Sequence, residues 1–428
     1  MNLSHPTPFD RLEASQTVEP TSHETGSGIS RRQFMKTASA SGAVIGSVMT
    51  AGAVATAPGQ APAAPETQQS APAPPERQAA NLDIPEPVEK KMGWAIVGLG
   101  KLAVEEILPA FGECSGSRVV ALVSGHPDKA GRLAEVYGVA PDRIYNYGNF
   151  DTLADADDID AVYIVLPNSM HAEYTIRALK AGKHVLCEKP MAANLEECAQ
   201  MSAAAEATGR KLMIAYRLHY EPLNRKVMQM CEAKKLGKLK LFVSSNCQNV
   251  ESPNIRLSAK LAGGPVGDVG VYSINAARYV IGEEPVEVYA TEHRPDNDPR
   301  FTEVPESVSY TMKYPSGVLA QCVCSFGTAG SQRYEVIGEK GVIVMDPAFP
   351  YRGLKLTVRR QGADEGPPEI ADINLRQINH FASEMDHFSK CIKDNITPRT
   401  TAAMGTADMR IVHAITESAR TGKPVSLV

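Results

Sequence analysis

The chain lacks a marked excess of charge of either sign: 44 lysines and arginines stand against 49 acids, a formal net of −5 over 428 residues. So small an imbalance leaves no electrostatic footprint for nucleic acid, and no long basic block occurs beyond the N-terminal segment. The eight cysteines lack metal-ligand spacing, so no zinc site is expected. Cys322 and Cys324 alternate along an apparent strand and Cys187 ends an apolar run, positions that suit small core residues. A membrane-length apolar run is missing too. The nearest approach, Thr37 to Ala57, is rich in Ala, Gly and Ser, and no stable membrane anchor is expected from it. What is present, 43% apolar and 22% charged residues, suits an ordinary globular chain long enough for two cored domains.

The first 57 residues carry an address. Ser30-Arg31-Arg32-Gln33-Phe34-Met35-Lys36 precedes that weakly apolar stretch, and small residues follow at Ala53-Val54-Ala55. Paired arginines ahead of such a run predict a twin-arginine export signal, with the export machinery as a partner and the periplasm as destination. A basic helix end leading into an alanine-rich core helix is the plainer alternative. Flanking Pro and Gly and the absence of an amphipathic period argue against it. Residues 58–92, dense in Pro, Ala and Gln, cannot bury a core and are expected to form an extended arm or linker.

Residues 93–218 alternate strand and helix in the manner of a doubly wound α/β (Rossmann) domain. Trp94-Ala95-Ile96-Val97 is a short apolar strand, followed at once by Gly98-Leu99-Gly100-Lys101-Leu102-Ala103 and a helix. The first glycine permits a tight turn, and the second lets the backbone approach a pyrophosphate at a helix N-terminus. The next strand ends at Ser124-Gly125 rather than at an acid. An NAD enzyme places a carboxylate there for the ribose hydroxyls. A hydroxyl, with Lys129 and Lys101 nearby, suits a 2′-phosphate instead, so the expected cofactor is NADP.

Three further stretches carry a family likeness. Leu186-Cys187-Glu188-Lys189-Pro190, Leu166-Pro167-Asn168-Ser169-Met170-His171 and Asp268-Val269-Gly270-Val271-Tyr272 together resemble the Gfo/Idh/MocA oxidoreductases over nearly all of residues 93–428. Gly98-Leu99-Gly100-Lys101, Ile144-Tyr145-Asn146-Tyr147 and Gly282-Glu283-Glu284-Pro285 lean toward the glucose–fructose oxidoreductase type. The resemblance implies an enzyme acting on CH–OH groups of small sugars. It implies Lys189, Asp268 and Tyr272 as catalytic residues, with NADP bound so firmly that it need not dissociate. It adds Leu99, Leu102, Tyr147, Leu166, Pro167, Asn168, His171, Glu188 and Arg217 as cofactor contacts, and Tyr220 and Arg256 as substrate contacts. A homodimer or homotetramer is implied as well. The chemistry is sensible on its own terms. Hydride loss from a sugar carbon requires a group to take the hydroxyl proton and a cation to steady the oxyanion.

Residues 219–428 carry runs of alternating strands with helices set apart, which predicts an α+β domain with a large mixed or antiparallel sheet. Three functions follow. One is an aldose oxidised to its lactone, with hydride passed through retained NADP to a second sugar. Another is an ordinary NADP-dependent aldose dehydrogenase or reductase. The third is an NAD-dependent glycoside hydrolase of the same fold.

Overall fold

The computed structural model describes residues 90–360 and 369–428. The expected export signal, and the arm up to residue 89, lie outside the described residues.

Six strands form the first sheet: β1 (Met92–Val97), β2 (Ser117–Val123), β3 (Ile144–Tyr145), β4 (Ala161–Ile164), β5 (His184–Glu188) and β6 (Leu212–Ala215). Their order is β3-β2-β1-β4-β5-β6 and every pair is parallel, as in a doubly wound dinucleotide-binding sheet. Sheets covered on both faces need strands that are apolar throughout, and β1 and β4 are almost wholly buried. Helices α1 (Pro127–Tyr137), α2 (His171–Lys180) and α3 (Leu195–Thr208) make the crossovers. Asn194 caps α3, its side chain accepting from the Glu197 amide.

The helix expected after the glycine turn is a composite. A π-type turn, Ala103–Ile107, runs into Leu108–Ala110 and then a 3-10 turn, Phe111–Glu113. Pro109 sits in the first turn of the short middle piece, where its missing N–H costs little.

The second sheet has nine strands: β7 (Leu239–Asn249), β8 (Glu287–His293), β9 (Ser307–Lys313), β10 (Leu319–Ser325), β11 (Gly327–Gly338), β12 (Gly341–Met345), β13 (Leu356–Arg360), β14 (Glu369–Ile373) and β15 (Val425–Ser426). Their order is β14-β13-β12-β11-β7-β10-β9-β8-β15. All pairs are antiparallel except β7 with β10. Helices α4 (Pro222–Glu232) and α5 (Val271–Ile281) share one apolar core with the inner face of this sheet.

The last two helices bind the halves together. Helix α6 (His380–Lys393) returns to the first sheet, where Phe381, Met385 and Phe388 pack with Trp94. The Trp94 Nε1–H donates to Ser389 Oγ at 3.1 Å. Asp386 accepts from the amides of Ser115 and Gly116 and from the Ser115 and Ser117 hydroxyls. Helix α7 (Ala402–Thr421) contributes Met409 to one core and Ile411, Ala414 and Ile415 to the other. All eight cysteines are buried and free.

Candidate active site

The glycine turn after β1 is sterically obligatory. Gly98 adopts φ +93°, and a Cβ there would lie 2.3 Å from the Val165 carbonyl oxygen. At Gly100 an added Cβ would meet nothing within 4 Å, so the backbone of the turn faces open space where a phosphate can approach. The Lys101 ammonium is exposed, and Lys129 Nζ donates to the Leu99 carbonyl at 2.7 Å. Leu102 is half-buried at the start of the π-type turn. The Ser124 hydroxyl accepts from the His126 amide, and the Tyr147 ring stands 3.2 Å from where a Cβ on Gly125 would be. The end of β2 therefore presents small and cationic groups. These residues fit a dinucleotide whose ribose carries a phosphate.

Lys189 follows the buried end of β5, and Asp268 and Tyr272 come from the π-type turn Val266–Gly270 and the first turn of α5. Lys189 Nζ donates to the Asp268 carbonyl at 2.7 Å and to its Oδ1 at 3.3 Å. It lies 4.6 Å from the centre of the Tyr272 ring, over its face. The ammonium thus pairs with Asp268 while its contact with the tyrosine is through the π-face. Arg256 Nε closes the triad from the other side, 2.6 Å from Asp268 Oδ2. Its loop is drawn in because Gly263 backs onto the Arg256 carbonyl, where a Cβ would lie at 2.4 Å. Burial pushes the Asp268 carboxyl up, but Lys189 and Arg256 outweigh it and hold the group below the usual carboxylate range. Burial also works against the Lys189 ammonium. Tyr272, Asp268 and Glu188 overcome it and keep the lysine above its ordinary value.

These side chains line a cavity of about 280 Å³. Arg217 lines it too, although its two terminal nitrogens are engaged elsewhere, on the Phe349 carbonyl at 2.5 Å, the Pro350 carbonyl and His380 Nδ1, while its buried Nε finds no partner among the described residues. Its guanidinium lies over the rings of Tyr272 and Tyr351, at 5.2 and 4.6 Å. Arg217 therefore walls the cavity.

Two expected contacts are corrected. Tyr220, expected at the substrate, is a core residue: its ring joins the apolar cluster of the first sheet and its hydroxyl meets Thr400 Oγ1 and Met213 Sδ. Burying the ring under the Arg399 guanidinium is the arrangement that satisfies both ends of the side chain. His171, expected to touch the cofactor, is fully enclosed, with both ring nitrogens on backbone carbonyls. Of the remaining expected contacts, Asn168 Nδ2 donates to the Ala262 carbonyl, tying the segment after β4 to the loop ahead of Gly263. Leu166 and Pro167 are half-buried beside it. Glu188 is buried, accepting from the Tyr163 hydroxyl at 2.8 Å and from the Lys189 amide at 3.3 Å. Burial raises its carboxyl pKa.

Among the lining residues that sequence reading missed are four with polar side chains: Asn246, Gln248, Gln332 and Tyr351. A signal existed for two of them. The inward face of β7 runs Phe242, Ser244, Asn246, Gln248, turning polar where an ordinary core strand stays apolar. Asn246 Nδ2 donates to the Val269 carbonyl while its Oδ1 is buried without a partner among the described residues.

A dinucleotide turn on one sheet, with lysine, aspartate and tyrosine converging from two domains, defines a nicotinamide-dependent oxidoreductase. Residues 92–216 match the family model GFO_IDH_MocA, an oxidoreductase family with an NAD-binding Rossmann fold, and residues 224–344 match the GFO/IDH/MocA C-terminal domain. The chain belongs to this family. It is 31% identical over 341 residues to a D-xylose 1-dehydrogenase (NADP(+)) of Haloferax volcanii, covering 78% of this chain and 100% of that protein. Among solved structures, the aldose-aldose oxidoreductase from Caulobacter crescentus, complexed with glycerol, is 39% identical with a TM-score of 0.76. That alignment covers 79% of this chain and 100% of the other. A 3-ketoreductase from Actinomadura kijaniata in complex with NADP and TDP-benzene is 26% identical with a TM-score of 0.68, covering 77% and 98% of the two chains.

Proposed function

We propose that this protein is an NADP-dependent sugar oxidoreductase of the glucose–fructose oxidoreductase type, oxidising an aldose to its lactone and reducing a second sugar with the same retained nucleotide. The observation that carries the reading is the meeting of Lys189, Asp268 and Tyr272 in one sugar-sized cavity. The likeness to an NADP(+)-dependent D-xylose 1-dehydrogenase from Haloferax and to the aldose-aldose oxidoreductase from Caulobacter supports it.

When bound, NADP supplies the hydride acceptor at the nicotinamide. Gly98, Leu99, Gly100 and Lys101 would hold its phosphates, and Ser124 with Lys129 its 2′-phosphate end. Tyr272, acting as the phenolate, takes the hydroxyl proton of the sugar and becomes the phenol, and Lys189 places a positive charge beside the sugar oxygen as it becomes anionic. Asp268 fixes Lys189 and Arg256 so that the ammonium need not reorganise during the reaction. Asn246, Gln248 and Gln332 offer amides to the remaining hydroxyls.

Export belongs to this proposal, on the strength of Arg31-Arg32 and the small-residue run after them. A homo-oligomer is supported by the open face of the second sheet, where Leu241 lies beside Leu319 and Val243 beside Gln321 across the β7–β10 ladder. Leu241, Val243 and Leu319 are about two-fifths exposed.

The test is on purified protein. Nucleotide absorbance should survive gel filtration, change to the reduced form with glucose and revert with fructose. The likeness to D-xylose 1-dehydrogenase favours a second reading, an ordinary dehydrogenase. A nucleotide that washes out and must be supplied for each turnover would establish that reading instead. Hydrolysis of aryl glycosides with retained NAD would establish the hydrolase.

A further inference from the structure

His171 opens α2 behind the cavity and is fully buried. Its Nδ1 lies 2.8 Å from the Pro190 carbonyl oxygen and its Nε2 2.9 Å from that of Leu166. Both partners only accept. A neutral imidazole has a single N–H, so it satisfies one carbonyl and turns a lone pair on the other. The imidazolium satisfies both. The two carbonyls matter because of where they stand. Leu166 directly precedes Pro167 and Asn168, whose amide holds the Ala262 loop, and Pro190 directly follows Lys189.

We propose that His171 is a positioning residue, a strut that sets the spacing between the segment after β4 and the loop carrying Lys189, and that a second ring proton tightens it. The proposal rests on reading Leu166 to Asn168 as cofactor contacts and Lys189 as the cation that meets the sugar oxygen.

The charged surroundings oppose the imidazolium from one side. Lys189 acts on the ring directly, and Asp268 lies beyond it, already paired with it. Glu188, at the end of β5, is turned to Tyr163. On α2 itself, Glu173 and Arg177 pair with each other, and Arg177 also with Asp151, toward solvent. Burial pushes the imidazole below its ordinary pKa, and the Pro190 and Leu166 carbonyls pull the other way. The tight form therefore gains population on the acid side of the ordinary imidazole range.

The test uses the full holoenzyme labelled with ¹⁵N-histidine, together with H171Q and H171F. Glutamine keeps a donor and an acceptor without titrating; phenylalanine keeps the bulk and loses both contacts. The His171 resonances, identified by their loss in H171Q, should move to the doubly protonated form as pH falls below about 6.5. H171F should lose about 10-fold or more in kcat with the sugar KM within about 2-fold, the mark of misplaced rather than missing groups. H171Q should recover most of the rate at neutral pH and lack the acid-side change of the wild-type profile. Superimposable profiles for wild type and H171Q, with full activity in a folded H171F, would overturn the proposal. So would a His171 ring that stays in one neutral tautomer throughout. Nucleotide retention is read separately by absorbance. A wild type without NADP counts against the functional reading, while the ring titration still decides whether the strut exists.

Discussion

Asp268 faces a cation on each side, and its two oxygens are divided between Lys189 and Arg256. That leaves the Tyr272 hydroxyl as the cavity group best suited to take a proton at the reacting carbon. Removing only that oxygen, in Tyr272→Phe, keeps the ring on which the Lys189 ammonium rests. Steady-state kinetics should show kcat lowered by roughly 10²- to 10⁴-fold with a smaller change in KM. A phenylalanine variant with near wild-type kcat would move the proton acceptor elsewhere, Tyr351 being the other phenol on the wall. Cofactor choice is testable one residue at a time as well. Ser124 already accepts a hydrogen bond from the His126 amide, a bond aspartate could keep. Ser124→Asp should therefore retain the turn while repelling a 2′-phosphate, weakening NADP binding at least about 10-fold by calorimetry and sparing NAD.

Among the elements, α6 has the least obvious place and the clearest consequence. It follows all but the last strand of the second sheet in sequence yet covers a face of the first, with the Phe388 ring 5.8 Å from that of Trp94 and wholly buried. Phe388→Ala would leave a cavity between α6 and β1, at a cost of about 3–5 kcal/mol. Denaturant midpoints of holoenzyme should fall accordingly, and an unshifted midpoint would mean that α6 is not part of the cooperative unit. The same helix marks where sequence reading stops. That helices stand apart from the strands in residues 219–428 was legible, but the partner of this one was not, because periodicity reports a buried face and never what buries it. The strand–glycine–helix opening at residues 94–103 was legible because its signals are local. The convergence of Lys189 with Asp268 and Tyr272 was legible through a family likeness alone, since 79 residues separate Lys189 from Asp268. Tyr220 and His171 were misplaced for one reason: a polar tip near a site is satisfied as well by a neighbouring hydroxyl or carbonyl as by a ligand.

At the scale of the whole molecule, buried neutral histidines tie stability to pH. The His219 ring bonds Asn275 Oδ1 and the His380 ring bonds the Tyr351 carbonyl, both with almost no exposure. Burial, with Arg399 adding to it at His219 and Arg217 at His380, lowers their pKa values to about 4 and about 3. A histidine whose pKa is lower folded than unfolded takes up its proton first in the unfolded chain. Its contribution is therefore complete above the unfolded value near 6.5 and is lost as pH falls toward the folded value. The His219 ring contributes up to roughly 3 kcal/mol that fades between about pH 6.5 and 4, and the His380 ring up to roughly 5 kcal/mol that fades between about pH 6.5 and 3. Urea midpoints of the holoenzyme should be level above neutrality and drop steeply through that window. His219→Gln, which can still donate to Asn275, should be less stable at pH 7 but show a shallower acid slope. Parallel slopes for the variant and the wild type would show that the acid sensitivity comes from groups other than this ring.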